Sequence, residues 1–194
     1  MSRTTRALAL CLTLVLGFAV VATADTWTPY EFKGPAFYKY RIVQHGSDAV
    51  EVVYSLDVEQ SELPGKYQVT STVRSVMDEK DLKGGAVFGA SPILTMAPML
   101  MLGNPMFSGL ISQMDLAVGT KRDLFGAGYA EVVAMETLAG VEGFRCELYL
   151  KEGEKTVKQA EITVHPDLAL PLKSRVYDDG EIQFEMTLLE YRKH

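Results

Sequence analysis

Residues 84–114 read GGAVFGASPILTMAPMLMLGNPMFSGLISQM and contain no charged side chain. Five of the nine methionines fall there: Met96, Met99, Met101, Met106 and Met114. Ser91-Pro92 is a helix start, a hydroxyl N-cap followed by Pro at the first helical position. Residues 93–102 fit a helix that Pro98 interrupts, and Gly103-Asn104-Pro105 stops the chain and restarts it over residues 106–114. The pattern predicts two short apolar helices joined by a turn.

On both sides of this insert the period of the sequence changes. Residues 49–59 (AVEVVYSLDVE) place Val50, Val52, Tyr54, Leu56 and Val58 on one side and Glu51, Ser55, Asp57 and Glu59 on the other. A period of two over that length is a half-buried strand of an antiparallel sheet. Strand patterns also cover residues 37–44 and 67–77. The turns between them are His45-Gly46-Ser47-Asp48 and Leu63-Pro64-Gly65-Lys66. Beyond the insert, strands are expected at residues 129–136, 143–151, 155–165, 170–177 and 181–191. Asp178-Asp179-Gly180 is a strong hairpin signal between the last two. The fold class is therefore mainly β (α+β), a curved antiparallel sheet or incomplete barrel of about eight strands. Such a sheet has an apolar face that needs cover. The insert at 84–114 is expected to supply it, as a central apolar helical lid or plug. Residues 25–35, with Trp27, Tyr30 and Phe32, show no periodicity and are expected across one edge or mouth of the sheet.

The N-terminus has the layout of a secretory signal peptide: Arg3 and Arg6, an apolar stretch over residues 7–21, and the small-x-small site Ala22-Thr23-Ala24. Residues 1–24 are thus expected to be removed, leaving a single domain over 25–194 and a periplasmic location. Loss of the two arginines takes the formal charge from −6 to −8. An acidic chain without a basic cluster argues against nucleic acid as a partner. Cys146 is then the one remaining cysteine, so no internal disulfide can form. It alternates with Phe144, Leu148 and Leu150 and reads as a small buried hydrophobe.

Nothing in the sequence has the spacing of a catalytic motif. His45, His165 and His194 fall in a turn, before Pro166 and at position 194, outside any metal or catalytic pattern. Gly84-Gly85-Ala86-Val87-Phe88-Gly89 lacks the Lys-Ser/Thr of a phosphate-binding loop. The chain is expected to be no enzyme and to need no cofactor or resident metal. Met96, Met99 and Met101 have spacings that soft thioethers use for Cu(I), but no histidine accompanies them. Methionine also fills irregular apolar gaps and forms adaptable hydrophobic surfaces. A single membrane span over residues 92–114 is disfavoured by Pro98, Gly103, Asn104 and Pro105.

The C-terminal half carries a resemblance. AGVEGFRCELY at residues 139–149 leads to HPDLALPLKS at 165–174. RVYDDGEIQF at 175–184 then runs into Leu188-Leu189-Glu190-Tyr191. This resembles the closing strands of the bacterial outer-membrane lipoprotein-sorting carriers, in which an LPLK, strand, DDG turn, strand pattern recurs. The match covers roughly residues 129–191. The resemblance implies a half-barrel whose helices close an apolar cavity for lipoprotein acyl chains. Met96, Met99, Met101, Leu102, Met106 and Phe107 would then contact the ligand. The partners implied are a lipid or acylated protein and a membrane-associated donor or acceptor protein. Residues 27–35 show no counterpart of that family's long N-terminal helix. Two other readings stay open: a non-catalytic structural or interaction domain whose helices are permanent core, and Met-based Cu(I) binding.

Overall fold

The computed structural model describes residues 25–46, 49–76 and 105–194. The signal-peptide reading of 1–24 lies outside them. So does the expected first helix of the insert, with Met96, Met99, Met101 and Leu102. Within the described residues the chain is mainly β. Its elements are β1 (Ala36–Gln44), β2 (Val50–Gln60), β3 (Tyr67–Ser75), α1 (Pro105–Ile111), β4 (Lys121–Asp123), β5 (Gly128–Leu138), β6 (Val141–Glu152), β7 (Lys155–Val164), β8 (Lys173–Asp178) and β9 (Glu181–Lys193).

The strands form one antiparallel sheet in the order β3-β2-β1-β9-β8-β7-β6-β5-β4. β1 pairs with β9, so the two ends of the strand sequence meet in the middle of the sheet. The sheet is open, with β3 and β4 as its edges. Tight turns at Ala139-Gly140 and Asp179-Gly180 close the β5–β6 and β8–β9 hairpins, each with positive φ at both residues. That backbone matches the right-handed strand twist, which explains the Gly at the second position. Four register shifts, at Lys39/Tyr40, Val132/Ala134, Leu148/Tyr149 and Val176/Tyr177, add β-bulges. Bulges of this kind bend a strand and increase its twist.

A single row of residues crosses the sheet in register and shows which face is core. It runs Val132, Cys146, Ile162, Ser174, Met186, Ile42, Val52. Every member is buried. The neighbouring row on the opposite face, Glu147, Glu161, Arg175, Glu185, is charged. The alternation in the sequence thus becomes one apolar face and one charged face.

The cover of the apolar face differs from the expectation. The insert is not the only segment on it. Residues 168–172 (LALPL), expected in part as the start of a strand at 170, lie against the apolar face, and β8 begins only at Lys173. Leu168, Ala169, Leu170 and Leu172 are buried among Tyr38, Tyr40, Met186 and Leu188. A buried connection has to pair its backbone polar groups, and here four of the five carbonyls have a donor from elsewhere in the chain. Trp27 Nε1 donates to the Leu168 carbonyl at 2.7 Å, and the Tyr40 hydroxyl donates to the Pro171 carbonyl at 2.9 Å. The Tyr30 and Leu188 amides donate to Ala169 and Leu172 at 2.8 and 2.7 Å. Trp27, expected at an edge, is 1% exposed and belongs to the core.

The helical insert is corrected as well. Within residues 105–114 helix is confined to the seven residues of α1. The expected helix over 106–114 ends early because Gln113 and Met114 bond to the third residue back, Leu110 and Ile111. Gly109 lowers helix propensity in its middle, and neither end carries a charge that complements the helix dipole. A further strand, β4, appears where none was expected.

Replacing Trp27 by Phe keeps an aromatic ring of similar shape and leaves the Leu168 carbonyl without its donor. The expected cost is about 1–3 kcal/mol, read as a lower urea midpoint with an unchanged slope. An unchanged midpoint would show that the carbonyl does not depend on this bond.

Candidate functional site

α1 is positioned by its inward side. Phe107, Ser108 and Ile111 are buried, and Met114 and Leu116 continue the contact beyond the helix. They pack with Trp27, Ala130 and Val132. The Leu116 amide donates to the Asp25 carbonyl at 2.9 Å, which ties the segment to the N-terminal lead-in. Ile111 and Met114 are almost completely inaccessible, so α1 is a fixed wall.

Beside that wall lies a cavity of about 330 Å³. Phe107 and Leu110 of α1 form one side, Leu148 and Leu150 of β6 the floor, and Leu124, Phe125 and Ala127 of the β4–β5 turn the other side. Every lining residue is apolar. The volume falls at the lower end of the range of about 300–1,000 Å³ typical of small-ligand pockets. Gly128 makes the turn possible. A Cβ there would stand 2.0 Å from the Tyr149 carbonyl oxygen, so only glycine lets β5 leave the turn this close to β6.

Phe125 is fully solvent-exposed and has φ of 54°. With Gly126 at φ 83° and the Ala127 amide donating to the Leu124 carbonyl at 3.0 Å, it occupies the first central position of a tight hairpin turn. Asn, Asp or Gly is preferred there. A left-handed backbone costs an ordinary residue roughly 1–2 kcal/mol. The chain carries a bulky aromatic at a strained, exposed position on the wall of an apolar cavity.

Of the residues expected to contact a ligand, Phe107 is in this pocket. Met106 belongs to α1, and Met96, Met99, Met101 and Leu102 lie outside the described residues. Leu110, Leu124, Phe125, Leu148 and Leu150 were not anticipated. The alternation of Cys146, Leu148 and Leu150 already put the last two on the apolar face. Phe125 before a Gly-Ala-Gly run was the other available signal.

The charged face offers the main cluster of ionisable groups. Lys158 Nζ lies 2.7 Å from Glu147 and 2.8 Å from Glu161, and Lys173 Nζ lies 2.9 Å from Glu161. Arg175 joins Glu185 at 2.5 Å, and the Tyr149 hydroxyl donates to Glu147 at 2.5 Å. Thr163 Oγ1 donates to Glu136. Glu161 Oε1 sits off the line of a good hydrogen bond to Lys173, so charge more than alignment holds that pair. Burial pushes the Glu161 carboxyl up, but Lys158 and Lys173 together outweigh it and hold it down at about 2. Burial likewise raises Glu147, and its bonds from Lys158 and Tyr149 bring it below the usual carboxylate range. Both groups are held as anions at neutral pH, an arrangement suited to cross-strand pairing of charges. Without Lys158 and Lys173, Glu147 and Glu161 would face each other directly as like charges.

Two further groups lie outside this cluster. Burial pushes the Cys146 thiol up to about 12, which leaves it without thiolate character. His194 Nε2 lies 2.8 Å from Asp57 Oδ1, with Glu59 alongside, and their ligand-type atoms fall within 4.8 Å of one another. The separation of 137 residues hid this trio from any spacing rule. The Asp57–His194 bond accounts for it as a surface pair. Comparisons of the chain with protein-family models, curated proteins and solved structures found no match.

The depressed Glu161 carboxyl gives a pH prediction with a definite sign. Its stabilisation is fully present above the ordinary value of 4.5 and is lost as pH falls toward 2. Urea midpoints are expected to drop across that window. Glu161→Gln is expected to be less stable at pH 7, because it removes the carboxylate that Lys158 and Lys173 share and leaves Lys173 only its longer contact to Glu136, and to have a shallower acid limb. Parallel acid limbs in the two proteins would contradict the assignment.

Proposed function

We propose that this chain is an exported carrier that binds an acyl-type chain in the pocket between α1, β6 and the β4–β5 turn. The observation that carries the proposal is an all-apolar cavity of about 330 Å³ with a fully exposed phenylalanine on its wall. An apolar pocket of this kind recognises hydrocarbon through area removed from water, about 25 cal/mol per Å², and has no polar lining group to demand a specific head. The open sheet with one apolar face agrees with the half-barrel implied by the resemblance to the lipoprotein-sorting carriers. In that reading the ligand is a lipid or acylated protein, and a membrane-associated protein donates or accepts it.

A second reading rests on a specific observation. Ile111 and Met114 are so deeply buried that α1 belongs to the permanent core, as in a structural or interaction domain. The two readings share a fixed helix and differ over whether the pocket outside it is filled by a ligand. No described residue favours the Cu(I) reading, whose methionines lie outside the described set.

Binding of a fluorescent fatty-acid probe separates the two. Leu150→Asp puts an unpaired charge into the pocket floor and is expected to weaken probe binding at least tenfold, with the sheet's circular dichroism retained. Phe125→Asn relieves the left-handed strain and is expected to raise stability by about 1 kcal/mol, while weakening probe uptake. Wild-type protein that takes up no probe, or a Leu150→Asp variant that binds it as tightly, counts against the carrier.

A further inference from the structure

The inward row of β9 ends on a charge. Tyr191 and Lys193 lie opposite Tyr38 and Ala36 of β1, on the face that carries Met186 and Leu188. Lys193 is exposed, and among the described residues its ammonium makes no close ion pair or hydrogen bond, although its charge reaches the Asp167 carboxylate at longer range. It borders a cavity of about 440 Å³, separate in its lining from the apolar pocket. The cavity is built where three stretches of chain converge with β1 and β9: the lead-in with Lys33, the β7–β8 connection with His165 and Asp167, and the β5–β6 hairpin with Val141.

Its polar groups are already ordered. Lys33 Nζ is 2.6 Å from Asp167 Oδ1, and this bond holds the Asp167 carboxyl below the usual carboxylate range. The Asp167 amide donates to His165 Nδ1 at 3.0 Å. Nδ1 therefore offers its lone pair, and in the neutral ring the proton sits on Nε2, available as a donor. Lys33 and Lys193 share one carboxylate, Asp167, which leaves one net positive charge among them. The other walls are apolar or aromatic: Tyr38 and Tyr191 stand with ring centroids 5.2 Å apart, and Val141 and Leu168 flank them.

We infer that this cavity binds a small organic monoanion, a carboxylate on an apolar body, with the carboxylate on Lys193 and the body against the accessible parts of Tyr191 and Val141. One positive charge in excess matches one carboxylate, and an N⁺–H···O⁻ bond is about twice as strong as a neutral one. The half-buried Tyr191 and Val141 add contact area that needs no further charge. The inference is independent of the acyl-chain pocket, since it uses none of its residues.

Calorimetric titration of the purified protein with hexanoate and with its neutral analogue hexanamide tests the site. Hexanoate is expected to bind with Kd of about 1 mM or tighter and hexanamide at least about tenfold more weakly. Lys193→Met is expected to lose the preference for the acid, and Leu150→Asp, in the other pocket, to keep it. Palmitate competing with hexanoate at Lys193 would identify a lipid-derived acid as the source; hexanoate binding without that competition would identify a short free acid. The inference is overturned by equal affinity for acid and amide, by hexanoate binding that survives Lys193→Met but not Leu150→Asp, or by no heat of binding for hexanoate up to about 10 mM.

Discussion

The structure depends on five residues, 168–172, lying on an apolar sheet face with four of their carbonyls paired. Peptide groups buried without partners cost several kcal/mol together. The donors come from elsewhere in the chain: the indole of Trp27, the hydroxyl of Tyr40, and the amides of Tyr30 and Leu188. These bonds connect the N-terminal lead-in, β1 and β9 to one connection. They also set where the face is covered and where it stays open. Covered parts are the Tyr38–Tyr40 region under Leu168–Leu172 and the Ala130–Val132 region under α1. The two cavities lie in the spaces between these covers: one beside α1, lined by hydrocarbon, the other beside Lys193, lined by both aromatic rings and charges.

The charged face is organised by the same register. The row of Glu147, Glu161, Arg175 and Glu185 sits next to the inward row, offset by one residue, so a slip of one position would move four charges onto the apolar face. Lys158 and Lys173 keep the two glutamates compatible as cross-strand neighbours. Register is therefore specified twice, by the apolar row inside and by the ion pairs outside. That leaves the helix and turns free to carry the pocket without holding the sheet together.

Much of the sheet was legible in the sequence because half-buried strands alternate. The run at 50–60 and the Asp179-Gly180 hairpin came through within a residue or two. β4 did not, since Lys121, Arg122 and Asp123 are all exposed and leave no alternation to read. Residues 168–172 misled for a different reason. A short continuous apolar run is equally a buried strand or a buried connection, and Pro166 and Pro171, which cannot donate to a ladder, were the signal that it is not a strand. Of the pocket, Phe107 was the one expected contact, and alternation in β6 put Leu148 and Leu150 on the same face. Its remaining walls are made neighbours by the pairing of β5 with β6 and by the turn at Phe125, contacts that no local pattern encodes. Asp57 and His194 illustrate the same limit on the outer face.

The central claim is that the pocket beside α1 holds an apolar chain. Native mass spectrometry of protein purified gently from an exported fraction, followed by organic extraction, measures this directly. The account predicts a discrete added mass that extracts as a lipid or fatty acid and is absent from Leu150→Asp. A bare protein mass, with nothing in the organic phase, would contradict it and leave α1 and the sheet as a closed core.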